Sequence, residues 1–259
     1  MTGWRLGLAT LVAIIIGVEA GGSGSAASGG FSSLRGVREL VAPALPHIAR
    51  EQRALDRVRA YAPVVAHGAR RHGRVVALTF DDGPGPFTWR VVRELQWMHV
   101  RATFFQVGRQ AAAYPWAARL VAGSFPVGDH TLSHAELPRL RWAEQLREVR
   151  WGPAAAGGLF RPPYESFDRR TLGVLRLQRM LMVLWDVDSR DWTRPGVGRI
   201  VRNVVSRVRP GSIVLLHDGG GVRWQTVAAL PVIIRQLRAR GYSFVTVPRM
   251  MRVAPPFRG

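Results

Sequence analysis

From Arg74 onward, short apolar runs of strand character alternate with segments of helical period, and nothing else in the chain narrows the fold as far. Residues 75–80 are followed by a helical segment at 87–98, and 102–106 by one at 110–122. The series continues through 141–151, a strand before Arg161, 181–186, 200–208, 213–216 and 225–240. A repeated β-α rhythm gives parallel strands covered by helices, because parallel neighbours need a long crossover that is usually a helix. Two architectures satisfy it, a (β/α) barrel and an open doubly wound sheet. In both, functional groups gather beyond the C-terminal ends of the strands. Asp81, Arg161, residues 186–191 and His217 each fall at or just after such an end. In the last helical segment, Val227, Leu230, Ile234 and Leu237 share one stripe and Gly241 is placed to cap it, so these are packing residues. Pro231 kinks or tightens that helix.

The first 73 residues lack the rhythm. Arg5, an apolar run over 6–18, and then Val18, Glu19 and Ala20 read as a signal peptide over 1–20, with small residues where a signal peptidase prefers them. The run is shorter than the ~20 residues of a spanning helix, and the alternative is a short, uncleaved membrane anchor. Residues 21–33 are a Gly/Ser-rich linker. Residues 34–73 form an Arg-rich lead-in with helical spacing at Val37, Leu40, Val41, Ile48, Leu55 and Val58, broken around Pro43 and Pro46. It is expected to pack on a main domain at 74–250, with 251–259 as a tail. The expectation is an exported chain, secreted, wall-associated or tethered by its N-terminus, and monomeric.

With 259 residues, 47% of them hydrophobic, the chain is long enough for one large α/β domain plus an appendage. Its formal charge of +20 comes from arginine alone, since no lysine occurs. Such a surface attracts polyanions of every kind, and charge by itself does not choose among nucleic acid, acidic lipid and wall polymer. No nucleic-acid-binding signature is present, so nucleic acid is not expected as a partner. The absence of cysteine excludes disulfides, thiolate ligands and a cysteine nucleophile. Any metal is left to histidine and carboxylate.

His130 and His134 are four residues apart, a spacing that puts both imidazoles on one face of a helix or helical turn, close enough to share an ion. Asp82 offers a third, anionic ligand. Two histidines and one carboxylate with open positions suit catalytic zinc or a similar divalent ion. Asp81 stands beside Asp82 at a strand end, where successive side chains point to opposite sides, so one carboxylate can hold an ion while the other handles a proton. Taken alone, Asp81, Asp82, Gly83 and Pro84 equally suit a turn that closes a strand. Three further polar clusters at strand ends count against that bland reading: Arg161 to Tyr164, Asp188 to Trp192, and Leu215 to Asp218.

In order and spacing these residues resemble the polysaccharide deacetylases, the NodB-homology domain of carbohydrate esterase family 4. Thr79 to Asp82 match that family's T-F-D-D motif, His130 to His134 its H-[ST]-x-x-H, Arg161 to Tyr164 its R-x-P-[YF], Asp188 to Trp192 its D-x-x-D-W, and Leu215 to His217 its L-x-H. The match covers roughly 74–247. It implies a distorted (β/α) barrel, parallel strands surrounded by helices, and a hydrolase that removes N-acetyl groups from an aminosugar polymer. Peptidoglycan N-acetylglucosamine is the preferred substrate and chitin oligomers the other. One divalent ion, zinc by preference or cobalt, is implied on Asp82, His130 and His134. Asp81 is implied as the base, Arg161 as the group favouring its ionised form, the backbone N–H of Tyr164 as an oxyanion donor, and His217 as the general acid.

Asp188 is expected to orient His217, its bland alternative being a helix N-cap. Asp191 is left between support and a structural ion pair with Arg161 or Arg190. Pro163, Trp192 and Trp224 are placed on the substrate side, Trp224 and Trp192 together with Trp185 as an apolar wall for an acetyl group or sugar face, with core packing as the alternative. His47, His67, His72 and His99 are surface or packing residues. Two features depart from the family pattern: Glu165 stands where glycine is common and narrows or charges the substrate groove, and a compact loop at 152–158 leaves that groove open. Two other functions remain, an O-acetyl xylan esterase using the same site and a non-catalytic module binding wall polymer or other polyanions.

Overall fold

A computed structural model describes residues 44–61, 63–70, 73–150 and 158–256, with helix residues 44–49, Tyr61 and Arg150 described in backbone only. The expected signal peptide (1–20), linker (21–33), the first part of the lead-in (34–43) and most of the loop at 152–158 lie outside the described residues. Residues from Ala44 onward form one compact unit. In chain order its elements are α1 (Ala44–Tyr61), β1 (Val64–Val65), β2 (Val75–Asp81), α2 (Thr88–Trp97), β3 (Ala102–Gln106), α3 (Gly108–Ala113), α4 (Pro115–Ala122), β4 (Val127–Asp129), α5 (Trp142–Arg150) and β5 (Leu159–Phe160). There follow α6 (Arg169–Leu177), β6 (Leu181–Val183), β7 (Val187–Asp188), α7 (Val197–Val205), β8 (Ser212–His217), α8 (Trp224–Ala239), β9 (Ser243–Phe244) and α9 (Val247–Val253). No helix among the described residues is long and apolar enough to cross a membrane.

The strands lie in the order β1-β6-β5-β4-β3-β2-β8-β7, with β9 beside the start of β2, and every strand pairing is parallel. β2 is central and buried on both faces, which explains its near-continuous apolar run, interrupted only by Thr79 before Asp81, rather than an alternating one. The sheet curls into a half-barrel. Its two margins approach where Gly68 N–H, just after β1, donates to Gly211 O (2.8 Å) and His67 bridges to Ser212 at the start of β8. Of the two architectures the rhythm allowed, this is the distorted barrel. One apolar cluster sits between the sheet and α2, α7 and α8. A second joins Ala77, Phe105 and Ile213 of the strands to Leu55 and Val58 of α1 and to Met250 and Met251 of α9. α1 thus contributes directly to a core shared with the strands.

Two expected elements are divided. The helix at 110–122 breaks at Tyr114, because Pro115 has no N–H to continue a helix and instead starts α4 in its first position. The strand at 181–186 stops at Val183, where the chain leaves β1 and crosses to β8. The pairing of β2 with β8 sets the site: Asp81 lies directly beside His217, with Phe105 on its other side.

Candidate active site

Asp82 follows the end of β2 with φ +68, a left-handed conformation that a short polar residue accepts more readily than most. Gly219 and Gly220, just after β8, press against it so closely that a Cβ on either would overlap the Asp82 backbone or carboxylate. Asp82 Oδ1 is buried and faces His130 Nε2 at 3.4 Å and His134 Nε2 at 3.0 Å. One donor atom from each of the three residues falls within 4.8 Å of the other two. Burial alone would raise the Asp82 pKa, but the His130 and His134 imidazoles, with His217 nearby, hold it far below the usual carboxylate range.

The two histidines do not share a helix. They occupy a loop after β4 in which Thr131 (φ +67) and His134 (φ +62) are left-handed, incompatible with a right-handed helical turn. Asp129 Oδ1 accepts from Thr131 N–H (2.6 Å) and Thr131 Oγ1 accepts from His134 N–H (2.9 Å), curling the loop until the rings lie 5.0 Å apart. Each ring is also fixed through its other nitrogen. His130 Nδ1 pairs with the Arg161 carbonyl at 2.7 Å, and His134 Nδ1 with the Tyr164 hydroxyl at 3.1 Å. Nε2 of both is thereby turned toward Asp82, the arrangement that outer partners impose on metal-ligating histidines. Two imidazole nitrogens and one carboxylate oxygen converging in this way fit a divalent ion of the zinc type.

Arg161 is completely buried at the end of β5. Its guanidinium donates to Asp81 Oδ1 (2.8 Å), Thr79 Oγ1 (2.7 Å), Val183 O (2.9 Å) and Leu184 O (3.1 Å), and lies over the Phe105 ring at 4.2 Å. Burial lowers its pKa, but a guanidinium remains charged, so Asp81 has a fixed cation within hydrogen-bond reach. The other Asp81 oxygen lies 3.9 Å from His130 Nε2.

His217 ends β8, and its carboxylate partner is Asp191, not Asp188. His217 Nδ1 lies 2.7 Å from Asp191 Oδ1, while Asp191 Oδ2 accepts from His217 N–H (2.9 Å) and the Thr226 hydroxyl (2.7 Å). Asp188 instead accepts from Arg190 N–H at 2.7 Å, within its own turn. Left-handed Arg190 (φ +55) reverses the chain and brings residue 191 back beside β8, which three-residue spacing alone did not reveal. Nor does Asp191 pair with Arg161 or Arg190. Burial would lower the His217 pKa, but the adjacent Asp191 charge, with help from Asp82 and Asp81, raises it to about 9. Burial likewise raises Asp191, and the His217 charge reverses this to a net lowering.

On the rim, Tyr164 (68%), Trp192 (50%) and Trp224 (52%) are exposed, as is Glu165, whereas Pro163 is buried and Trp185 packs beside Arg161. Three polar residues escaped sequence reasoning. Asp218 is buried, accepts a short hydrogen bond from Thr88 Oγ1, and is raised to about 7 by burial and by the charges of Asp82 and Asp81. Arg223 pins the glycine loop, donating to Gly219 O (2.7 Å) and Gly220 O (2.8 Å). Glu148 of α5 grips the histidine loop. Only Asp218 had a signal, as the residue after His217 in a cluster already singled out.

Residues 68–183 match the model of a family described as polysaccharide deacetylase. A chitooligosaccharide deacetylase of Bradyrhizobium sp. (strain ANU 289) is 38% identical over 198 residues, covering 68% of this chain and 90% of that protein. A peptidoglycan-N-acetylglucosamine deacetylase of Bacillus cereus is 35% identical, covering 69% and 89%. Among solved structures, a peptidoglycan N-acetylglucosamine deacetylase in complex with 4-naphthalen-1-yl-N-oxidanyl-benzamide superposes with a TM-score of 0.70 at 31% identity, covering 76% of this chain and 97% of that one.

Proposed function

The chain belongs to the polysaccharide deacetylase family, and from that premise we propose that it is a metal-dependent hydrolase releasing acetate from the N-acetyl groups of an aminosugar polymer. The observation that carries the reading is the meeting of the Asp82, His130 and His134 donor set with Asp81 at the end of β2, paired with Arg161 from beyond β5, and with His217 at the end of the neighbouring β8, paired with Asp191 from beyond β7. Asp82, His130 and His134 would hold the ion. When bound, such an ion supplies Lewis acidity, bringing the pKa of water from 15.7 to about 7 and polarising a carbonyl. Asp81, kept beside a guanidinium, takes the proton of the attacking water at its carboxylate. The backbone N–H of Tyr164 donates to the developing oxyanion. His217, held protonated by Asp191, gives its proton to the departing amine and is oriented by the same carboxylate.

Peptidoglycan N-acetylglucosamine is the preferred polymer, on the strength of a basic surface suited to an anionic wall and an N-terminal stretch suited to export. Chitin oligomers are the close second, given the chitooligosaccharide relative. The test is acetate release from peptidoglycan, chitin oligomers and acetylated xylan, each with chelator and with Zn²⁺ or Co²⁺ restored. Chelator-sensitive release from the first or second supports the proposal. Release from xylan alone converts the reading to an O-acetyl esterase, and polymer binding without any acetate converts it to a binding module.

A further inference from the structure

The loop that carries His130 and His134 holds two non-glycine residues in left-handed conformations, and such backbone persists only where its surroundings impose it. Two elements impose it. From one side, Gly108 N–H and Arg109 N–H at the start of α3 donate to the carbonyls of Thr131 (2.9 Å) and Leu132 (2.8 Å). From the other, a single residue of α5 makes three bonds. Glu148 Oε2 accepts from Ser133 N–H (2.9 Å), Glu148 Oε1 accepts from the Ser133 hydroxyl (2.8 Å), and the Glu148 carbonyl accepts from Leu132 N–H (2.8 Å).

Helix stability does not account for this glutamate. It lies in the last turn of α5, between Arg147 and Arg150, where the exposed carbonyls of a helix end favour cations and disfavour a carboxylate. Nor is it a surface ion pair, since both of its oxygens are spent on one serine fifteen residues away. What the bonds fix is the backbone midway between the two histidines. Leu132 and Ser133 determine how far residue 134 swings back toward residue 130. The convergence of the two Nε2 atoms on Asp82 depends on that swing.

We propose that Glu148 is a positioning residue for the ligand pair: its carboxylate clamps Ser133 so that His130 and His134 are already gathered before an ion arrives. The inference rests on the reading that Asp82, His130 and His134 bind a divalent ion. Removing the clamp lets the loop relax toward ordinary backbone, separates the imidazoles, and makes the ion reassemble its own site.

The test uses the purified full chain, stripped by chelator and titrated with Zn²⁺ against a chromophoric chelator, for wild type, Glu148→Ala, Glu148→Gln and Ser133→Ala. The expected result is a weakening of Zn²⁺ affinity of about 10–100-fold in Glu148→Ala, the scale seen when outer partners of metal ligands are removed. Ser133→Ala, which loses only the hydroxyl bond, weakens it about fivefold. Glu148→Gln, which keeps one carbonyl oxygen as acceptor, falls between wild type and alanine. At saturating Zn²⁺ the kcat on N-acetylated substrate returns to near the wild-type value in all three. A lower melting temperature with unchanged Zn²⁺ affinity overturns the inference, because it makes Glu148 a prop for the fold alone. If Glu148→Ala does not fold, Ser133→Ala and Glu148→Gln decide by the same measure. Tight binding by wild type and variants alike removes this inference and leaves the proposed function standing. Failure of the wild type to bind any divalent ion removes both.

Discussion

In the proposed mechanism His130 and His134 on one side of the site, and His217 on the other, are the same imidazole given opposite tasks by what faces the nitrogen turned away from the centre. On the first side that nitrogen meets a carbonyl and a phenol, neutral groups that orient a ring without adding charge. On the second it meets the buried carboxylate of Asp191, which stabilises the imidazolium and brings His217 to about 9. A ring oriented by a carbonyl or a hydroxyl can offer Nε2 as a ligand; a ring held charged by a carboxylate can offer Nε2–H as an acid. Division of labour between the histidines therefore lies in their outer partners, and each partner is a place where the contrast can be broken.

The largest break is Asp191→Asn. It removes the charge that keeps His217 protonated and should lower kcat by about 10²–10⁴-fold, the usual share of general acid–base catalysis, while leaving metal affinity unchanged. Asp188→Asn is the control and should change kcat by no more than a few fold. A reversal of the two results would return the supporting role to Asp188.

A second, intermediate effect concerns stability in the metal-free chain. The folded His217 is raised from 6.5 to about 9, so the stability contributed by its pairing is complete below pH 6.5 and is lost as pH climbs through 9. Denaturant unfolding across that window should show a loss of roughly 3 kcal/mol, and Asp191→Asn should flatten it. The smallest effect tests the other side: Tyr164→Phe deletes only the hydroxyl at His134 Nδ1 and should weaken metal affinity about fivefold, read by Zn²⁺ titration of the stripped chain.

How much of this was legible in the sequence depended on whether a residue's job was written in its neighbours or in another element. The barrel could be read because β2, β3 and β8 are buried on both faces and so appear as mostly apolar runs rather than alternating ones. β4 was missed because Gly128 interrupts its pattern, and the Phe105 ring lies where a side chain at that position would stand. Spacing singled out His130 and His134, and the structure brings them together with Asp82, but i, i+4 spacing fits a helix as well as a curled loop, and only the left-handed Thr131 and His134 decide between them. Asp188 and Asp191 were confused for a similar reason. Glu148 was invisible, since its partner is fifteen residues away on a different element.

The register that sets Asp81 beside His217 gives the chemistry a property that neither residue has alone. Side chains alternate along a strand, so a slip of β2 by a single position would turn Asp81 away from the cleft and bring Phe80 in its stead. With the proposed roles, turnover reports that register: in a refolding mixture, acetate released per mole of chain should follow the molecules whose central strands are aligned, and not those that are merely collapsed.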